Sequence, residues 1–211
     1  MKNLIYMILL GSLLFLLSAC ESGGKFEMIN QTSFPIYASV DGGPIVTISA
    51  QENRVFEIDT DSQSFLTGEV KRSVPVFVQG ETFSLYDREE SEYVDDTVIT
   101  VRAGKTTHAF LKANRASIKI INDRPEKIYL VEIRHVSPTT NYVVATLDLD
   151  IPGGESYWYR VKPATLQDNF TYQVVVYSEG EGSPRIYSAP GILGIDEQWI
   201  LHVDPDGKQI N

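Results

Sequence analysis

Few residues in this sequence are spaced to do chemistry. Cys20 is the only cysteine, so no intramolecular disulfide can form. The histidines His108, His135 and His202 are far apart, and none has a second His or Cys at metal-ligand spacing, so each reads as a surface or packing residue. No Gly-x-Ser-x-Gly elbow, Gly-x-x-x-x-Gly-Lys loop or His-Glu-x-x-His pair is present. The sequence therefore nominates no catalytic residue, no metal site and no cofactor. The densest carboxylate run, Asp87 to Asp96, has oxygens enough to surround a calcium ion, but a charge run of this kind reads as a solvated loop. Asp204-Pro205-Asp206-Gly207 lacks the later acid that would complete a calcium loop and reads as a turn or tail.

The aromatic triplet Tyr157-Trp158-Tyr159 is the best ligand-binding lead. On a strand its side chains alternate, and aligning it with Phe56 and Ile58 turns Tyr157, Tyr159 and Val161 inward and Trp158 outward. An outward tryptophan can stack on a sugar ring or anchor a protein interface, because it joins apolar area to a hydrogen-bond donor. Tyr142, in a nearby insertion, is the second candidate ligand-binding residue.

The N-terminus explains the cysteine. Lys2 precedes an apolar run from Leu4 to Leu17, then Leu17-Ser18-Ala19-Cys20, the three-part pattern of a secretion signal. The run is shorter than the roughly 20 apolar residues of a comfortable transmembrane helix. Leu17-Ser18-Ala19-Cys20 resembles the lipobox of bacterial lipoproteins. That resemblance implies a diacylglyceryl group on the Cys20 thiol, cleavage before Cys20, and acylation of the freed amine in many bacteria. It divides the chain into a signal peptide, 1–19, and a lipidated tether, 20–24, that holds the folded part close to the bilayer. Glu21 stands where an aspartate would favour inner-membrane retention, so the resemblance places the protein in the cell envelope, at the outer membrane if the organism has one.

Removing residues 1–19 takes away one lysine and leaves 17 basic against 28 acidic residues, a net charge of −11. This balance opposes phosphate backbones and anionic head groups, and nucleic acid is excluded as a partner.

The elements that must carry any site are strands. Apolar and polar residues alternate in Arg54 to Ile58, Val74 to Val78, Thr97 to Val101, Ile118 to Ile120 and Tyr172 to Tyr177, with turn chemistry at Asp41-Gly42-Gly43-Pro44, Pro152-Gly153-Gly154 and Glu179-Gly180-Glu181-Gly182. An offset of 92 matches Phe26, Met28, Asn30 and Ile36 with Ile118, Ile120, Asn122 and Ile128, and Thr107, Ala109 and Leu111 with Trp199, Leu201 and Val203. Between these, Glu52, Phe56 and Ile58 match Glu155, Tyr159 and Val161 at offset 103, which puts an 11-residue insertion around Ser137 to Ile151. The expected fold is all-β: two tandem antiparallel β-sandwich modules, 25–112 and 115–211, after a cleaved lipoprotein signal peptide. The modules resemble the immunoglobulin-like or transthyretin-like modules of exported bacterial proteins.

Two functions fit. The first is a non-catalytic, membrane-anchored envelope lipoprotein that binds or supports an envelope or extracellular protein partner through loops and edge strands. Bacteroidal fimbrial subunits resemble it in being lipidated tandem sandwiches. The second is a carbohydrate-binding lipoprotein of a glycan-uptake system, with Trp158 and Tyr142 facing the glycan.

Overall fold

A computed structural model describes residues 23–61 and 69–204. The signal peptide, Cys20 and the Pro205-Asp206-Gly207 tail lie outside the described residues. The chain is all-β with several antiparallel sheets, as its alternation predicts. It divides into two compact units. Of the described residues, the first comprises 23–31, 37–61, 69–78 and 85–111, and the second 32–36, 79–84 and 112–204.

The strands lying wholly or mostly in the first unit are β1 (Gly24–Asn30), β2 (Ile36–Val40), β3 (Val46–Ile48), β4 (Asn53–Ile58), β5 (Lys71–Gly80), β6 (Leu85–Asp87), β7 (Glu92–Val94), β8 (Asp96–Arg102) and β9 (Thr106–Leu111). They form a three-stranded sheet ordered β4-β1-β9, a four-stranded sheet ordered β3-β2-β5-β8, and the hairpin β6-β7. Strict alternation of buried and open residues in β1 and β2 sends Phe26, Met28, Ile36, Ala38 and Val40 into the core. The acidic run is the β6-β7 hairpin itself, where Asp87 Oδ1 accepts from the Glu89 and Glu90 amides and Tyr86 lies 5.2 Å from Tyr93.

The second unit contains β10 (Ala116–Asn122), β11 (Ile128–Val136), β12 (Asn141–Ile151), β13 (Ser156–Val161), β14 (Thr171–Ser178), β15 (Arg185–Ser188) and β16 (Gln198–Val203). Its sheets are ordered β13-β10-β16 and β12-β11-β14-β15. Ile118, Ile120, Val161 and Leu201 from the first sheet and Val131, Ile133, Val174 and Val176 from the second form one buried cluster, the interior of a sandwich. The 79–84 segment belongs to this unit. There Gln198 Nε2 donates to the buried Glu81 carboxylate at 2.5 Å, Lys119 Nζ lies 3.8 Å from it, and Thr82 Oγ1 donates to Asp196 at 2.7 Å.

The internal repeat has a physical counterpart in the pairing register. Phe26 lies opposite Phe56 in the antiparallel partner and Thr107 in the parallel one, while Ile118 lies opposite Tyr159 and Trp199. The matched asparagines explain why an amide recurs at the end of an otherwise apolar strand. Asn30 Nδ2 donates to the Ile48 and Ser49 carbonyls at 3.1 and 2.9 Å, and Asn122 Nδ2 to those of Glu126 and Ile151 at 2.8 and 2.9 Å. Each amide ties down the end of an edge strand, β3 or β12. Asn122→Ala is expected to lower unfolding free energy by about 2 kcal/mol through the loss of these two bonds and of the one Asn122 Oδ1 accepts from the Arg124 amide, and urea denaturation measures it.

Candidate functional site

The side chains best placed to meet a ligand lie at one end of the second unit, and a backbone irregularity puts them there. Along β12, Ala145, Leu147 and Leu149 pack against the core. Continued alternation would turn Val143 inward and Tyr142 outward. Instead Ile133 pairs with Ala145 and Arg134 with Val143, so Val144 is an extra residue, a β-bulge. The bulge reverses the phase and sets Tyr142 opposite His135, with the two rings stacked at 4.9 Å and 24°. His135 in turn lies opposite Tyr172 on β14. A row of three rings, Tyr142-His135-Tyr172, therefore crosses the inner face of three neighbouring strands.

Beyond this row the sandwich opens into a cleft of about 230 Å³, whose other wall includes Tyr159, Val161 and Lys162 of the opposite sheet and Arg115 just before β10. The buried Phe170 ring lies 4.0 Å from the His135 ring and 5.5 Å, edge-on, from Tyr172. The Tyr172 hydroxyl donates to the Lys162 carbonyl at 2.8 Å. Burial pushes its pKa up to about 12 against the Arg115 guanidinium; the hydroxyls of Tyr142 and Tyr159 push the same way as burial. Tyr142, Tyr159, Tyr172 and Arg115 all line this cleft. Lys162 Nζ stands 6.0 Å from the Phe170 ring. Asp168, at the rim, accepts from the Thr165 amide and hydroxyl at 3.0 and 2.9 Å. Those two bonds, with the nearby Lys162 and His135, hold its carboxyl below the usual range despite some burial. The His135 Nδ1 atom is buried and has no hydrogen-bond partner among the described residues.

The two sequence candidates are not brought together. Tyr142 lines the cleft, about half exposed. Trp158 pairs with Lys119 on the outer phase of β13 and is not part of the lining. It is half-buried beneath Arg160, whose guanidinium carbon lies 5.8 Å from its ring centre. Tyr159 packs against the core, and Tyr157, on the inner phase opposite Ile120, remains 38% exposed because it sits near the strand end. Sequence reasoning missed His135 as an inward aromatic partner, and it missed Tyr172, Lys162 and Arg115 altogether. The only signal pointing towards them is the insertion that carries Tyr142. The other two histidines hold carboxylates on outer faces: His108 Nδ1 is 2.8 Å from Glu27, and His202 Nδ1 is 2.7 Å from Asp123. Among the described residues, no three His, Cys, Asp or Glu side chains are grouped to hold a metal ion.

Fold and cleft together define an all-β sandwich protein with an aromatic pocket bordered by cations at one sandwich end. No protein-family model matches the chain, and no curated protein matches its sequence. Solved structures similar to it include a candidate cell adhesion protein from Bacteroides ovatus, 11% identical over 90% of this chain and 95% of that one, with a TM-score of 0.36. A candidate cell adhesion protein from Bacteroides uniformis is 10% identical over 88% of this chain and 94% of its own, also with a TM-score of 0.36. The C-terminally truncated tip fimbrial protein Mfa3 from Porphyromonas gingivalis is 9% identical over 80% of this chain and 81% of its own, with a TM-score of 0.27.

Proposed function

We propose that the protein is a non-catalytic envelope lipoprotein, anchored through lipid on Cys20, whose modules, 25–112 and 115–211, present an edge strand to a protein partner. The observation that carries this reading is β12. It is an 11-residue strand at the edge of its sheet, where the corresponding strand of the first unit, β3, has three residues. Long edges offer unpaired amides and carbonyls to an incoming strand, and exported proteins usually blunt them. Here the charges of Asp148 and Asp150 lie at one end of the edge, and the other end, beside the bulge at Val144, carries exposed Tyr142, Val143 and Val144. The lipobox supports the envelope location, with Glu21 leaning towards the outer membrane.

A photocrosslinker placed at Thr146, exposed on β12, is expected to capture a discrete protein on intact cells, and one at the exposed Ile45 is not. Val143→Lys, which places a charge on the edge, should reduce that adduct about tenfold. No adduct at Thr146, or the same adduct at both positions, counts against the proposal.

A second reading, a carbohydrate-binding lipoprotein of a glycan-uptake system, is favoured by one observation, the aromatic cleft. In this reading Tyr142 is the contact residue, and Trp158 is a separate outer-face contact.

A further inference from the structure

We infer that the partner strand accepted by β12 alternates apolar residues with Lys or Arg, the apolar ones closing over Leu147 and Leu149 and a basic one entering an acidic recess beside them. The inference rests on the edge-strand reading and adds the chemistry of the occupant. Its first support is an unfinished core. Leu147 and Leu149 pack against the buried cluster from the inner face of β12, yet both stay half-buried. At the opposite edge of the same sheet, Tyr187 of β15 belongs to that cluster and is only 3% exposed. A strand laid along β12 with apolar side chains on its inner face would cover both leucines, because cross-strand neighbours on one face meet directly.

The second support is charge. β12 passes into β13 through a short turn, and each is an edge strand, so the two leave their sheets open on the same side of the sandwich. A recess of about 450 Å³ lies there, lined by residues 148–152 and 155–157, none of them from β10 or β11. Its charged lining residues are Asp148, Asp150 and Glu155. Asp150 is held by Lys127 Nζ at 3.2 Å, and the same amine lies 3.6 Å from Glu179. On β11, Glu132 and Arg134 lie 2.6 Å apart and offset each other. Asp148 and Glu155 are exposed and form no ion pair among the described residues, so they are the carboxylates left for an incoming cation. A second copy of this chain does not supply one through the same edge, because β12 holds two aspartates and no basic residue. Exposed ion pairs are weak, so this charge selects among strands while the backbone ladder and the covered leucines supply the affinity.

NMR titration of the mature protein, read at the β12 backbone amides, tests it with four blocked heptapeptides. Three alternate valine with lysine, serine or glutamate, and the fourth alternates serine with lysine. The valine–lysine peptide is expected to bind about fivefold more tightly than the valine–serine peptide, the worth of roughly two exposed ion pairs. The glutamate peptide should bind more weakly still, and the serine–lysine peptide, which cannot cover the leucines, at least several-fold more weakly than valine–lysine. Added salt should erode the lysine margin. Asp148→Asn with Glu155→Gln replaces two exposed side chains and should abolish that margin, with valine–serine binding and the thermal midpoint unchanged. Equal binding of the three valine peptides overturns the inference and leaves the edge-strand reading standing, as does a lysine preference that survives the double substitution. Equal binding of serine–lysine and valine–lysine, or shifts confined to the acidic β6-β7 hairpin, also overturns it. If no peptide shifts β12, the inference falls, and the Thr146 adduct on intact cells decides the edge-strand reading separately.

Discussion

Glu181→Ala is expected to lower the unfolding free energy by about 3 kcal/mol, the cost of leaving buried guanidinium groups without their counter-ion. Glu181 Oε1 lies 2.7 Å from Arg124 Nη1 and accepts from Arg185 Nε and Nη2 at 3.0 and 2.8 Å. The Arg124 contact is an ion pair without hydrogen-bond alignment, and the Arg124 side chain is only 7% exposed. The carboxylate therefore sits between two cations that would otherwise repel each other in a poorly solvated place. Glu126, 3.1 Å from Arg124 Nη2, remains in the variant and keeps the expected cost at the lower end for a broken buried pair. Arg185 also donates to the Asp204 carbonyl at 2.8 Å, so the loss reaches the end of the last strand.

The pH dependence carries the sign. Burial raises the Glu181 pKa, but the two guanidiniums outweigh it and hold the carboxyl below its ordinary 4.5. A carboxyl depressed by folding contributes its stability above the unfolded pKa and loses it as pH falls through the folded value. The difference between wild type and Glu181→Ala should thus be full at neutral pH and shrink below about pH 4.5. Urea denaturation of the mature protein at neutral pH and in acid measures both. An unchanged midpoint at neutral pH would mean that desolvation cancels the triad's attraction.

Glu181 also marks where sequence reading stops. Glu179-Gly180-Glu181-Gly182 is legible as a turn from its glycines, and Gly180 does adopt a positive φ of 75°. That the turn supplies the counter-ion for Arg124 is not legible, because the arginine lies in another loop and no periodic pattern links them. The strands were legible for the opposite reason. Alternation is local, and two copies of Phe-x-x-x-Asn or Ile-x-x-x-Asn spacing reinforce each other, as the shared hydrogen bonding of Asn30 and Asn122 shows. Trp158 facing outward followed from that alternation. Tyr142 facing His135 did not, because the bulge at Val144 shifts the phase by one residue, and valine runs carry no sign of where a bulge falls. Nor did the sequence show that 32–36 and 79–84 belong with the second unit, since the polar contacts made by Glu81 and Thr82 join residues more than a hundred positions apart.

Cys20→Ala is expected to abolish metabolic labelling with a fatty acid and to release the protein from the membrane fraction. Two or three acyl chains on one residue, each buried methylene contributing about 0.8 kcal/mol, make an anchor that no surface contact of this acidic chain could replace. The structure adds a geometric demand. The Gly23 amide donates to Thr60 Oγ1 at 3.1 Å and its carbonyl accepts from the Gly104 amide at 2.7 Å, so Gly23 is already held to the fold. Gly24 follows in the first strand, where an added Cβ would stand 2.5 Å from the Arg102 carbonyl oxygen. Three residue steps from Cys20 to Gly23 span at most about 11 Å. If Cys20 carries the proposed lipid, the folded part is held at its own membrane surface, which gives the labelling experiment its second reading. If labelling depends on Cys20 and intact cells lose the protein to added protease, the partner strand for β12 comes from outside. If labelled protein is fully protected, that partner must be sought within the envelope. Labelling absent from wild type would remove the anchor and, with it, the reason to look at the membrane at all.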